Sequence, residues 1–184
     1  MKVNRPFTGL GDEGITGLIG EGRFTKSNIM FEVLGSIDEL SAFVGTAKAS
    51  ISDQAVKHQL SDIQVTLYQI MTELSYIDQS KIKKPFITLD HIKKLETEIK
   101  NISLSVSIPA GFIIPGDSTQ AGYLDISRTI TRRVERRIVE LDGLVSIQNK
   151  LILQYINRLS TYLFMLEIQI LHDQGIDKPT LAKG

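Results

Sequence analysis

Residues 151–171 read LILQYINRLSTYLFMLEIQIL, and the fold is decided there. Leu151, Ile152, Leu153, Tyr155, Ile156, Leu159, Leu163, Phe164, Met165, Leu166, Ile168, Ile170 and Leu171 leave the segment few polar sides. A helix apolar nearly all round sits at the centre of a bundle, or is covered on its second side by another subunit. The segment before it is built differently. At 100° per residue, Ile126, Ile130, Val134, Ile138 and Leu141 form one aliphatic stripe, and Arg128, Arg132 and Glu135 fall on roughly the opposite side. Five arginines stand within residues 128–137. A row of guanidiniums one turn apart, with a carboxylate among them, suits a polyanion such as a phosphate. The plainer alternative is a solvated basic face held by i,i+4 pairs.

Earlier segments carry the same helical spacing. Leu34, Ile37, Leu40, Val44 and Ala47 set a first helix over 28–50. Leu60, Ile63, Leu67, Ile70, Met71, Leu74 and Ile77 set a second over 53–77. Thr88 or Asp90 caps a third helix running to about Ile102, and residues 101–116, with Pro109, Gly111, Pro115 and Gly116, connect it to the fourth. Asp117 or Ser118 caps the fourth helix, which stops at Asp142-Gly143. Ser146 then caps the fifth, which ends near Asp173 before Gly175. The expectation is an all-α protein of five helices with no sheet, assembled as an oligomer.

At 184 residues the chain reads as one domain with a sizeable core. Its 21 basic and 21 acidic side chains cancel, so no overall field favours nucleic acid or a membrane. The absence of cysteine excludes disulfides, thiolate nucleophiles and Cys-ligated metal centres. The first 22 residues are too polar for a signal peptide, and no apolar run approaches the ~20 residues of a membrane span, so a cytoplasmic protein is expected. His58, His91 and His172 have no metal-ligand spacing, and no Ser-His-Asp order is visible. Six of the 14 glycines fall in the first 22 residues, a segment that cannot be a regular helix. Its backbone N–H groups suit a phosphate, although it is not a Walker motif. The chemistry left to this chain uses Arg, Lys, Asp, Glu, Asn and backbone amides, which suit positioning and charge neutralisation of a phosphorylated ligand.

Four segments, in this order, resemble the ATP:corrinoid adenosyltransferases of the PduO type. Thr8-Gly9-Leu10-Gly11-Asp12-Glu13-Gly14-Ile15-Thr16 is similar to that family's TKTGDxGxT, and Lys26 through Gly35-Ser36-Ile37-Asp38-Glu39-Leu40 to its KDDxRVxAxGTxDEL. Phe112-Ile113-Ile114-Pro115-Gly116 with Arg128-Thr129-Ile130-Thr131-Arg132-Arg133-Val134-Glu135-Arg136 is similar to FxxPGG and ARTxxRRxER. Tyr155-Ile156-Asn157-Arg158-Leu159-Ser160 with Leu163-Phe164 is similar to YLNRLSDxLF. The resemblance implies a ferritin-like five-helix up-and-down bundle, assembled as a homotrimer with active sites between subunits. It implies transfer of the 5′-deoxyadenosyl group from ATP to a reduced corrinoid, with Mg²⁺ as cofactor and metal ligands left unassigned. Residues 1–27 would be a glycine-rich nucleotide-binding loop, 28–175 the bundle and 176–184 a C-terminal tail.

By the same resemblance, Thr8, Gly11, Asp12, Gly14, Thr16 and Lys26 would cradle the triphosphate, and Arg132, Glu135 and Asn157 would complete the nucleotide site from the adjacent subunit. Asp38 and Arg128 would pair across the interface at the corrin site, and the Phe112 ring would crowd the lower face of the corrin. A cobalamin-dependent enzyme or a flavoprotein reductant would be a further partner. The chain departs from the pattern at Gly9, Leu10, Ser27, Asn28, Met30, Asp117, Asp125, Thr161 and Ile168. Removing one charged group from a phosphate site weakens binding by about 1.5–3 kcal/mol. Two alternatives therefore stand beside the enzyme: a catalytically impaired relative that binds nucleotide or corrinoid for delivery or sensing, and a plain helical-bundle interaction protein.

Overall fold

A computed structural model describes residues 9–19, 22–76 and 82–182. Five helices carry the chain: α1 (Ile29–Ser50), α2 (Gln54–Leu74), α3 (Leu89–Ser105), α4 (Thr119–Val145) and α5 (Leu151–Asp173). Their starts follow from side chains that satisfy first-turn N–H groups. Asn28 Oδ1 accepts from Met30 N at 2.9 Å, and Asp53 Oδ1 accepts from Ala55 N and Val56 N at 2.7 and 3.0 Å. Thr88 and His91 form a capping box on α3, and Ser118 Oγ accepts from Ala121 N at 3.2 Å. Of the paired expectations, Thr88 rather than Asp90 and Ser118 rather than Asp117 is the cap.

The five-helix bundle is as expected, and α5 is its middle. It packs on α4 on one side and α3 on the other, while α1 lies against both α4 and α2. Buried residues on α5 run from Ile152 to Leu171 around more than one face. They meet Leu40 and Val44 of α1, Leu60 and Leu67 of α2, and Val134 and Ile138 of α4 in one continuous core. Each such aliphatic contributes about 1.5–3 kcal/mol by burial. Of the two readings of the apolar segment, the bundle centre is realised within one chain. No helix among the described residues is long and apolar enough to cross a membrane.

Several expectations need correction. The glycine-rich segment contains a two-stranded antiparallel hairpin, β1 (Ile15–Gly17) and β2 (Arg23–Thr25), with Ile15 opposite Thr25. Helix α4 runs past Asp142-Gly143 to Val145, and Ser146 is its left-handed C-cap at φ 54° instead of the cap of α5. The cause is Asp142, whose carboxylate accepts from Ile147 N at 2.7 Å and from the Lys150 ammonium at 2.6 Å. The turn closes around that carboxylate, and α5 begins only after Lys150. Ile126 is 38% exposed and outside the stripe assigned to it. Ser127 and Thr131 take the core-facing positions, their hydroxyls bonded back to Tyr123 O and Ser127 O at 2.8 and 2.7 Å. The second helix ends at Leu74; Ile77 lies outside the described residues.

The tail also has structure. After Gly175 it returns to the connector before α4, where Ile114 N donates to Thr180 O and Ala182 N to Phe112 O, both at 2.8 Å. Asp117 accepts from Thr180 N at 2.6 Å and from Thr180 Oγ1 at 2.8 Å. These bonds hold the Asp117 carboxyl below the usual carboxylate range.

Candidate functional site

The loop before α1 is made of turns. Asp12 N bonds to Gly9 O and Gly14 N to Gly11 O, both at 3.1 Å, and Lys26 N returns to Gly14 O at 2.8 Å. Gly9 sits at φ +72°, which a side chain adopts only with strain, so the family's lysine at this position would be poorly accommodated here. Lys26 Nζ lies over the turn and donates to Gly11 O at 2.8 Å. A Cβ on Gly11 would come within 3.0 Å of that nitrogen, so the glycine makes room for the ammonium. Arg23, which sequence reasoning passed over, brings a second cation by donating to Leu10 O. Gly11, Asp12, Gly14, Thr16 and Lys26 thus gather in one loop, whereas Thr8 lies outside the described residues. The loop is fastened to the bundle through Ile19 N, which donates to Ser75 O at 3.0 Å.

A second cluster crosses from α4 to α5 and on to α3. Glu135 uses both oxygens: Oε2 accepts from Arg132 Nη1 at 2.5 Å and Oε1 from Asn157 Nδ2 at 2.7 Å. Asn157 Oδ1 accepts from Arg158 Nη1 at 3.0 Å, and Arg158 Nε donates to Glu96 Oε1 at 2.8 Å. The other arginines of the row turn elsewhere. Arg133 pairs with Glu39, and Arg137 with Glu140 at 2.9 Å and Glu32 at 3.6 Å, which ties α4 to α1. The row therefore divides into a fastening side and a side that presents Arg132.

Beside Arg132 opens a cavity of about 380 Å³, lined by Phe112, Ile113, Asp125, Arg128, Phe164 and Glu167 together with Arg132 itself. Phe112 is 73% exposed on the segment clasped by the tail. Arg128 is half-buried, and its Nε and Nη2 both reach Asp125 Oδ1 at 2.7 Å. Asp38, on α1, is exposed and has no side-chain partner among the described residues. Glu167 is only 2% exposed and accepts no hydrogen bond from them. Burial pushes its carboxyl up to about 7; Asp125 and Asp117 add to the shift and Arg128 opposes it. The sequence hid Glu167, a lone acid in an apolar helix.

The departures from the family pattern have local counterparts. Asn28 caps α1, Asp117 holds the tail, and Asp125 occupies Arg128. Met30 packs against the core, and Thr161 lines the Phe112 cavity. Among the described residues no three His, Asp or Glu side chains gather as a metal cluster. The histidines serve structure: His91 caps α3 and stands edge-on to Tyr155, and His172 contacts Asp177 at 2.6 Å. A second cavity, about 330 Å³, lies between α2, α3 and α5 and contains none of the candidate site residues.

The family model described as cobalamin adenosyltransferase matches residues 6–170. A corrinoid adenosyltransferase from Bacillus subtilis (strain 168) is 39% identical over 162 residues, covering 86% of this chain and 82% of its own. The corrinoid adenosyltransferase PduO of Citrobacter freundii is 34% identical over 168 residues and matches 91% of this chain, which spans half (50%) of that relative's length. A solved structure of a variant PduO-type ATP:corrinoid adenosyltransferase from Lactobacillus reuteri, complexed with cobalamin and ATP, aligns at a TM-score of 0.91. Its sequence identity is 30%, over 98% of this chain and 100% of that one. Another variant from the same organism, complexed with ATP, aligns at a TM-score of 0.87 and 31% identity, over 96% and 99% of the two chains.

Proposed function

The chain belongs to the cobalamin adenosyltransferase family, and we propose that it transfers the 5′-deoxyadenosyl group of ATP to a cobalt(I) corrinoid. The observation that carries this reading is the double position of Arg132. It lines the cavity beside Phe112 and is also tied to Glu135 and through it to Asn157, so one side chain joins the Phe112 cavity to the polar cluster between α4 and α5. Cobalt(I) is a strong nucleophile, and the protein need supply no base. The cobalt electron pair attacks the 5′ carbon, the carbon–oxygen bond to triphosphate breaks, and triphosphate leaves with the bonding pair. What remains for the protein is alignment and neutralisation of the charge gathering on triphosphate. Lys26, Arg23 and the loop amides supply that on one side, and Arg132, held by Glu135, on the other.

Phe112 presents an exposed ring on a clasped segment, suited to filling the space below a corrin and keeping water or a base off the metal. Asp38 is exposed and has no side-chain partner among the described residues, which supports a homotrimer in which neighbouring copies complete each site and Asp38 meets Arg128 across the interface. Mg²⁺ fits this arrangement as a companion of the triphosphate. With no three-residue cluster among the described residues, its oxygens would come mainly from phosphate.

The test is an anaerobic assay with ATP, Mg²⁺ and chemically reduced cobalamin, read by the optical change as the cobalt–carbon bond forms. Product above the protein-free control, formed far more slowly by Arg132→Ala, is expected. No product from a folded protein that nevertheless binds ATP would replace the enzyme with a binding relative.

A further inference from the structure

Glu167 is the one charged side chain lining the Phe112 cavity that makes no hydrogen bond among the described residues. It is 2% exposed, it accepts no hydrogen bond, and it stands in the cavity wall with Phe112, Ile113 and Phe164. The cation facing it is already engaged, because Nε and Nη2 of Arg128 are both bonded to a single oxygen of Asp125. The Glu167 oxygens are not sealed, since Gln69 Oε1 alone is buried and unpaired among the described side chains, so they open to the cavity, where an arriving donor can reach them. The charged groups facing it are Asp125 and Arg128 of α4 and Asp117 of the connector, with Arg132 on the same cavity wall. Asp117 is in turn occupied by Thr180. Counting Glu167 itself when ionised, three acids stand there against two arginines, one of them held by Asp125, so the balance opposes an arriving anion and leaves a neutral donor unopposed.

A corrin ring is edged with acetamide and propionamide chains, whose N–H groups are neutral donors. Resting on the adenosyltransferase reading, we infer that Glu167 is a specificity determinant of the corrinoid site: its carboxyl accepts a hydrogen bond from a carboxamide N–H on the corrin edge and turns away corrinoids that carry free carboxylates there. A site built to receive a donor rejects the analogue that lacks it, because the buried acceptor is then left unpaired. With a carboxylate in the donor's place, repulsion from Glu167 and Asp125 is added to that loss.

The experiment uses the full chain, saturated with ATP, in the wild type, Glu167→Gln and Glu167→Ala. Each protein is titrated anaerobically with a fully amidated cobalt(II) corrinoid and with its hydrolysed, all-carboxylate counterpart, followed by absorbance at pH 6 and pH 8. Circular dichroism checks that each variant is folded. The wild type is expected to prefer the amidated corrinoid by about tenfold or more, and more strongly at pH 8, where Glu167 is ionised. Glutamine both donates and accepts, so Glu167→Gln should narrow the preference to within about threefold and remove its pH dependence. Glu167→Ala should remove the preference by weakening amidated binding. Equal binding of both corrinoids by the wild type, or an unchanged ratio in both variants, overturns the assignment. Failure of the wild type to take up either corrinoid, with ATP still bound, overturns the adenosyltransferase reading and this assignment with it.

Discussion

The loop over residues 9–26 and the α4–α5 pair both gather cations, but they hold them by opposite means. In the loop, geometry resides in the backbone, in two turns, a hairpin with three-residue strands and one bond from Ile19 to Ser75. Its cations lean on the loop's own carbonyls, Lys26 on Gly11 and Arg23 on Leu10. On α4 and α5 the geometry resides in side chains standing on rigid helices, with each Glu135 oxygen already taken. The loop is therefore a catch that must release its own carbonyls before it can meet a phosphate. The helix pair is preset, and most of the organisation needed for catalysis is complete before ligand arrives.

The widest test of that contrast is Arg132→Ala. It removes a prearranged, charge-assisted interaction and should lower kcat/KM by about 30- to 150-fold, equivalent to roughly 2–3 kcal/mol, with helix content by circular dichroism unchanged. Lys26→Met should act about tenfold and mainly on KM for ATP, since the loop's amides and Arg23 remain. A fall in kcat as large as that of Arg132→Ala would erase the distinction between catch and preset pair. Gly11→Ala should be milder, a few-fold in KM, because the new methyl displaces only the end of a flexible lysine. Amide hydrogen exchange should slow over 9–19 on ATP addition and stay constant over α4 and α5.

The smallest effect concerns stability and pH on the helical side. Glu167 is held near 7 in the folded chain against 4.5 ordinarily. Between those values the folded state keeps a proton that the unfolded state has lost, so stability falls as pH rises through that window. Glu167→Gln should remove this slope. At pH 8 it should raise Tm by about 2–4 °C, for about 1 kcal/mol once solvent screening is allowed for. A mutant that melts with the same pH slope as the wild type would acquit Glu167.

How much of this was legible in the sequence differs by region for physical reasons. Helices with long aliphatic periods, such as Leu34 to Ala47 and Leu60 to Leu74, were readable because burial repeats every turn, although at the start of the first Val33 rather than Leu34 is fully buried. The hairpin was not, since three-residue strands among glycines leave no period to count, and Ile15, Thr16, Phe24 and Thr25 carry its β-preference alone. Ser146 resembled an N-cap by type; only the bond of Asp142 with Lys150, eight residues on, decides that it ends α4. Arg132, Glu135 and Asn157 were proposed from motif likeness, and the structure brings them within hydrogen-bond distance. Glu167 and Arg23 were missed because each acts through partners distant in sequence.

The clasp between the tail and the connector has a consequence for synthesis. Phe112 and its neighbours leave the ribosome well before the residues that fix them, Thr180 to Ala182. The core can collapse as soon as α5 is available, while the wall of the Phe112 cavity stays open. Nascent chains halted before residue 180 are thus expected to resist protease through α1–α5 and still capture no corrinoid. The pocket is closed on a schedule set by translation, and ligand competence follows only once Thr180 to Ala182 have been released and have folded back.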